Sequence, residues 1–427
     1  MKMPLNVMIL GAGPLQVPAI QEARMLGIRS VALDHDPDAV GLRLCDSAHV
    51  ADILAPDAVV EIARQERVDG ILTLCSDAPV RTVAAVGRRL SLCVLSEEAA
   101  ACATDKRLMR ASFDKQGAPS PRIVQVESLA DAQSAADRLG YPVALKIGRG
   151  SGSRGVYKIE NELALRDGYA DCRGYQKDGA LLVEEWVEGG EVSVEGYCTD
   201  RDTRIVAITD KSVFPGRCPV EAGHCQPSHY SPPVQQAIRD AVVSGVRALG
   251  LTWCMIHAEV KVSAKGPRLI EIGARLGGDR ISTHLTPLST GVNMVRTAIL
   301  LSLGERVDAP MLWERGSCIR YFDVKRTGSL QRLDGLRALY AIPGVELIYP
   351  ASERDGILEA NFRIGEITSS LDRYGYVLYS GNSREEAVGR CDQALETLRF
   401  EFTDGDLRDG AGRQIEKPFP VKAGFSF

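Results

Sequence analysis

The chain opens on a short apolar run, NVMILGAG, followed by helical spacing in PLQVPAIQEARMLG. A second apolar run, SVALDHD, helical spacing over 57–68 and a third run, DGILTLCSD, continue the alternation. Short apolar runs alternating with 3.6-spaced segments predict βαβ units, and so a parallel sheet flanked by helices. Near residue 104 the pattern changes. TDKRLMRASFDKQG reads as a polar-faced helix with Thr104 as its N-cap and Gly117 as its stop, and Pro119 and Pro121 mark a boundary loop. From 123 to 275 the strand-like stretches come close together: PVALKIG and RGVYKIE across a glycine-rich loop, then LLVEEWV, EVSVEGYCT and RIVAITDK. Helices are expected at 127–140 and 233–250, giving an α+β core. A last unit contains CIRYFDVK, GVELIYP, RYGYVLYSGN and the helix REEAVGRCDQALETLRF, with FTDGDLRDGAGRQ read as loop or tail. Three domains are therefore expected, at 1–103, 104–310 and 311–427.

Composition fits this division: 427 residues, 45% hydrophobic and 25% charged, are enough for two or three cores. A net charge of -5 gives no general attraction to nucleic acid or to an anionic membrane. No apolar run reaches the roughly 18–20 residues of a membrane span. The N-terminus reads as a buried strand rather than a signal peptide. The 11 cysteines include no C-x-x-C, so reduced thiols in a cytoplasmic protein are expected.

The most informative stretch is WCMIHAEVKVSAKGPRLIEIGARLGGD. Two strands flank a turn at 263–267. A hairpin centred on Lys265 puts Glu259 opposite Glu271 and His257 opposite Gly273. Opposed side chains have Cβ atoms about 4.5–5.5 Å apart, where two carboxylates repel. A Mg²⁺ ion carrying nucleotide phosphates would remove the conflict. Two solvated glutamates on an exposed hairpin would satisfy the same pattern. Arg275, on the same face, could neutralise charge on a transferring phosphoryl group.

Two further stretches carry chemistry. In YPVALKIGRGSGSRGVYKIE, Lys146 sits on an apolar strand, where burial without an anion is costly. Gly150, Ser151, Gly152, Ser153, Arg154 and Gly155 follow as a strand–loop–strand flap whose N–H groups could wrap phosphates. A simply flexible hairpin loop would look alike. In LLVEEWVEGGEVSVEGY, the strand end at Glu184, Glu185, Trp186 and Val187 offers acceptors for adenine, and Glu191 for ribose. A solvated acidic turn is the plainer reading of that stretch alone.

These pieces in order — TDK at 104–106, ALKIGRGSGSRGV, VEEWVEGGEVSVEG, HAEVKV and EIGARLGGD — resemble the ATP-grasp superfamily over most of the chain. The resemblance implies a Rossmann-like pre-ATP-grasp domain, a two-lobed core with its flap at 148–155 and metal hairpin at 253–275, and a C-terminal α+β lobe. It implies ATP and two Mg²⁺ ions, with Mn²⁺ able to substitute. Lys106 and Lys146 would contact phosphates, and 150–155 would close over them. Glu184, Glu185, Trp186 and Val187 would hold adenine, and Glu191 the ribose. Glu259 and Glu271 would hold metal, and Arg275 would stabilise the transition state. Gly273 stands where the family often has asparagine, which puts one metal site in question.

VEAGHCQPS and GGDRISTHLTPLSTGVN are similar to L-amino-acid ligases and carnosine-synthase-like enzymes. That likeness implies Glu221, His224, Arg280 and His284 near the substrate, although both histidines fit a structural role equally well. Lys211 points toward the nucleotide or is a surface lysine. The expected activity is amide formation through an acyl phosphate, from a small carboxylate and an amine, in a cytoplasmic and often dimeric enzyme. Three rivals stand beside it: a purine-pathway-type enzyme activating formate or bicarbonate, an NAD(P) oxidoreductase, and a non-catalytic nucleotide-binding module. For the second, Gly11–Ala12–Gly13 with Asp34 and Asp36 resembles a dinucleotide fingerprint. Gln16, however, replaces its third glycine.

Overall fold

The computed structural model describes residues 5–148, 155–177, 179–215, 219–352 and 356–415. They gather into two compact units: 1–211 with 225–315, and 212–224 with 316–427.

The first unit begins with a parallel sheet in the order β3-β2-β1-β4. Its strands are β1 (Asn6–Leu10), β2 (Arg29–Asp34), β3 (Ser47–Val50) and β4 (Gly70–Leu72). Helices α1 (Val17–Met25), α2 (Pro56–Glu66) and α3 (Val80–Leu90) accompany it. Strands buried on both faces read as unbroken apolar runs, which is why NVMIL and SVALD were legible. α4 (Glu97–Thr104) leads into α5 (Lys106–Gln116). The cap of α5 differs from expectation. Thr104 ends α4, and Asp105 caps α5 by accepting from the Arg107 N–H at 3.0 Å. The carboxylate is the stronger acceptor for an exposed first-turn donor. Gly117 does end the helix, at φ +71°.

A four-stranded antiparallel sheet follows, in the order β5-β8-β6-β7. It contains β5 (Ile123–Val126), β6 (Val143–Lys146), β7 (Val156–Ile159) and β8 (Leu181–Glu185). α6 (Leu129–Leu139) and α7 (Glu162–Tyr175) complete this lobe. α7 was not foreseen, because glycines and charges in ELALRDGYADCRGY interrupt its apolar stripe. The next sheet begins with the consecutive neighbours β13-β12-β9-β10 in this unit. These strands are β9 (Gly190–Cys198), β10 (Thr203–Val213), β12 (Cys254–Ser263) and β13 (Gly266–Gly273), with β11 (Glu221–Gln226) between them in sequence. One face of this sheet buries Val192, Val194, Ile256, Ala258, Val260, Leu269 and Ile272 against Phe113 and residues of α8 (Pro232–Leu249). At about 25 cal/mol per Å² of apolar area, such a layer is the main anchor of the sheet.

In the second unit, β14 (Gly316–Tyr321) pairs with 376–381, which pairs in turn with β16 (Val345–Tyr349). β15 (Gly328–Asp334) pairs with the strand 399–402. The stretch read as loop or tail is instead structured: 399–402 pairs with 407–408, and Arg408 bridges Gln414. Among the described residues no helix is long and apolar enough to cross a membrane.

Candidate nucleotide and metal site

The alternation along β9, β10, β12 and β13 sends the second face of the sheet a wholly different set of side chains. Glu191, Ser193 and Glu195 come from β9, His257, Glu259 and Lys261 from β12. Glu271 comes from β13 and Thr209 and Lys211 from β10. In register, Glu259 lies opposite Glu271, and His257 opposite Gly273. On the other side of β12, Glu259 faces Ser193 and Lys261 faces Glu191. The expected glutamate pair is therefore present, by a slightly different route. The turn pairs Ser263 with Gly266, and a bulge between Val260 and Glu259 restores the register. Ile270, passed over by the bulge, gives its carbonyl to Arg110 Nη2 at 2.7 Å.

Each glutamate is held by an ammonium from another element. Lys106 Nζ, at the start of α5, lies 3.0 Å from Glu271 Oε2. Lys211 Nζ lies 3.1 Å from Glu259 Oε1 and 2.6 Å from Glu191 Oε1, while Lys261 reaches Glu191 Oε2 at 3.2 Å. Lys211 is thus no surface lysine: its side chain is 5% exposed. Burial raises the Glu259 carboxyl, but the Lys211 charge and hydrogen bond, together with the His257 and Arg275 charges, outweigh it and hold the group down to about 2. Burial likewise works against the Lys106 ammonium, and Glu271, helped by the charges of Asp77 and Glu259, overcomes it and raises that group. Both facing carboxylates keep about a quarter of their side chains open, 27% for Glu259 and 25% for Glu271. An all-oxygen, partly open pair of carboxylates suits a hard cation. Among the described residues no cluster of three or more His, Cys, Asp or Glu forms a metal cage. Mg²⁺ takes few protein carboxylates and completes its shell with phosphate oxygens and water.

Lys146, the last residue of β6, points at Glu184 on β8, with Nζ 2.6 Å from Oε1. Arg110 of α5 takes the other oxygen at 2.7 Å, and the Arg110 and Glu184 side chains are each only 3% exposed. Burial pushes the Glu184 carboxyl up, but the two cations more than offset this and lower it. Both oxygens of Glu184 are engaged, so the acceptors open at this strand end lie beyond it. Glu185 pairs with Arg122 at 3.1 Å. Trp186 donates to Glu188 at 2.8 Å, and Lys158 and Lys261 sit 5.2 and 5.8 Å from its ring centroid. The Lys106 N–H donates to the Gly148 carbonyl at 3.2 Å, which ties the start of α5 to the start of the glycine loop. Gly150, Ser151, Gly152, Ser153 and Arg154 lie outside the described residues. Gly155, at φ +64°, closes the loop, and a Cβ there would come 2.9 Å from Ile147.

Residues singled out near the substrate fall in both units. In the first, Arg280 has φ +63° and precedes a π-helical turn, Ile281–Leu285. His284 follows in that turn, where burial and the Arg280 charge push its imidazole down to about 4, so it is neutral at pH 7. In the second, Glu221 accepts from Ser370 at 3.2 Å and His224 is 1% exposed.

Four participants escaped the sequence reading in whole or part: Arg110, Asp77, Glu195 and, as more than a register mark, His257. Glu195 is fully buried and binds His257 Nδ1, the Ser282 hydroxyl and the Gly277 N–H. The period-2 spacing of EVSVE already put it on the face of Glu191. Arg275 is held by Asp77, which lies in the turn after β4.

The dinucleotide-like turn contrasts with this face. Asp34 accepts the Ala12 N–H at 2.7 Å, and Gln16 donates to the Leu74 carbonyl at 2.7 Å. The turn's own backbone takes up the carboxylate that a ribose would need.

Comparison with known proteins agrees with the geometry. Residues 139–284 match the ATP-grasp domain and 320–403 the L-amino acid ligase C-terminal domain 2. The chain has the ATP-grasp fold, and its two matched segments are those of an ATP-grasp domain and of an L-amino acid ligase C-terminal domain. It is 27% identical over 278 residues to the alanine–anticapsin ligase of Bacillus subtilis, covering 60% of this chain and 58% of that one. It is 26% identical over 362 residues to the formate-dependent phosphoribosylglycinamide formyltransferase of Rhodococcus jostii, covering 80% and 85%. The solved L-amino acid ligase from Bacillus licheniformis superimposes with a TM-score of 0.80 at 20% identity, over 94% of this chain and 100% of that one.

Proposed function

We propose that this protein joins the carboxylate of an amino acid to an amine, at the expense of ATP, through an acyl phosphate. The observation that carries the reading is the facing pair Glu259 and Glu271, each held by a lysine that a nucleotide could draw away. In this reading Glu259 and Glu271 hold Mg²⁺, which neutralises phosphate charge when bound. Lys106 and Lys146 turn to the phosphates, the loop at 150–155 covers them, and adenine rests at the strand end beyond Glu185. Arg275 faces the transferring phosphoryl group. The acid substrate's oxygen attacks the γ-phosphorus, ADP leaves, the amine attacks the acyl carbon, and phosphate leaves with the bonding pair. Enclosure of the site protects the intermediate from water.

The L-amino acid ligase C-terminal domain and the alanine–anticapsin ligase likeness favour an amino acid as one substrate. The formyltransferase likeness, which covers more of the chain, favours a second reading in which formate is the acid. The test is phosphate release from Mg-ATP across a panel of amino acids and amines, with formate and bicarbonate alongside. Release that needs an amino acid and an amine supports the first reading. Release with formate alone as the acid replaces it with the second, and release with no pair contradicts both.

A further inference from the structure

Asp77 grips Arg275 side-on, Nε to Oδ1 at 2.9 Å and Nη2 to Oδ2 at 3.0 Å. The remaining nitrogen, Nη1, donates to the Leu276 carbonyl at 3.2 Å. The pair is largely enclosed, with side chains 20% and 13% exposed. The turn that carries Asp77 is pinned a second time, by Cys75 Sγ donating to the Gly277 carbonyl at 3.3 Å. Thus the loop after β4, in the N-terminal sheet, fixes the segment that leaves the metal hairpin.

Gly273 belongs to the same arrangement. A Cβ at this position would stand 3.0 Å from Asp77 Oδ1 and 3.4 Å from Arg275 Cζ. The volume an asparagine side chain would fill is therefore occupied by the Asp77–Arg275 pair. A guanidinium beside Glu259 and Glu271 is also drawn toward their charge. Without Asp77, those carboxylates are the opposite charges left to attract Arg275. A bidentate carboxylate on its other side fixes both the plane and the direction of the fork, leaving the outer N–H groups of Nη1 and Nη2 for a ligand oxygen.

We propose that Asp77 is a positioning residue that holds Arg275 ready for the transferring phosphoryl group and off the metal carboxylates, and that glycine at 273 is what admits it. The inference rests on the ligase reading of Arg275. Its test is a double-mutant cycle on amino-acid-dependent ADP release, with kcat and the KM for ATP measured for Asp77→Asn, Arg275→Met and the double variant. Asp77→Asn is expected to lower kcat about 10- to 100-fold while the KM for ATP moves less than about twofold. In the Arg275→Met background the same change should cost nothing further. Gly273→Asn should copy Asp77→Asn and not add to it. Asp77→Glu keeps the charge and safeguards the fold, and should fall between wild type and Asp77→Asn. A kcat unchanged in Asp77→Asn, or a loss that persists in the Arg275→Met background, overturns the positioning role while leaving the ligase reading intact. A wild type that releases ADP with no acid and amine overturns both.

Discussion

Two regions of the first unit end strands in acids and glycines, and they hold those acids in different ways. At the carboxyl end of the parallel sheet, Asp34 is consumed by the Ala12 N–H and Gln16 by the Leu74 carbonyl. On the polar face of β12 and β13, Glu259 and Glu271 oppose each other and depend on lysines brought from β10 and α5. The first arrangement is complete in itself. The second sets like charges against each other, which the fold offsets with the Lys211 and Lys106 ammonium groups. Under the proposed function, the difference separates a structural acid from a functional one better than either motif does.

The comparison breaks most visibly in a pair of substitutions. Glu271→Gln should cut ADP release by about 1,000-fold or more while the melting temperature hardly moves. Asp34→Asn should leave turnover near wild type and cost about 1–3 kcal/mol in a denaturant titration, since it weakens a buried charged hydrogen bond. The reverse pattern would erase the distinction. Arg110→Ala should exceed Asp34→Asn in its cost to stability. It leaves Glu184 with one cation in a site that is 3% exposed, and should cost about 3–5 kcal/mol by the same titration. Gly277→Ala sharpens the picture at a smaller scale. Its Cβ would stand 2.6 Å from Glu195 Oε1 and His257 Nδ1, so about 1–3 kcal/mol of stability should be lost through displacement of the dyad.

The smallest effect is on pH dependence. The folded Glu259 carboxyl lies at about 2, below its usual 4.5, so its contribution is present above pH 4.5 and is lost as pH falls through 2. Partial exposure screens the contribution to about 1–2 kcal/mol. Glu259→Gln should flatten the acid limb of the stability curve by that amount, measured by denaturation between pH 5 and pH 2.5. An unchanged limb would mean that Lys211 does not hold the group as described.

Much of this was legible in the sequence, for identifiable reasons. β-strand alternation fixes which side chains share a face, so Glu259, Glu271 and their opposition could be derived from a hairpin alone. The bulge at Ile270 could not. It happens to compensate for a turn placed between residues rather than on Lys265. Lys146 was conspicuous because an ammonium on an apolar strand needs an anion, and Glu184 supplies it. Arg110, Lys211 and Asp77 were not legible as partners. Each reaches the site across tens of residues, from an element whose own pattern records only its local burial. Asp77 in particular sits in a turn whose composition is that of any turn. α7 and the C-terminal strand pair were missed for the opposite reason: their apolar signal is weak, and packing of neighbouring elements decides their conformation.

The most direct test of the facing-glutamate claim is ATP affinity by titration calorimetry, with and without Mg²⁺, for wild type and Glu271→Gln. The account predicts that Mg²⁺ tightens ATP binding to the wild type and that the substitution removes this gain while the variant stays folded. Equal Mg²⁺ dependence in the two proteins, or none in the wild type, would contradict it.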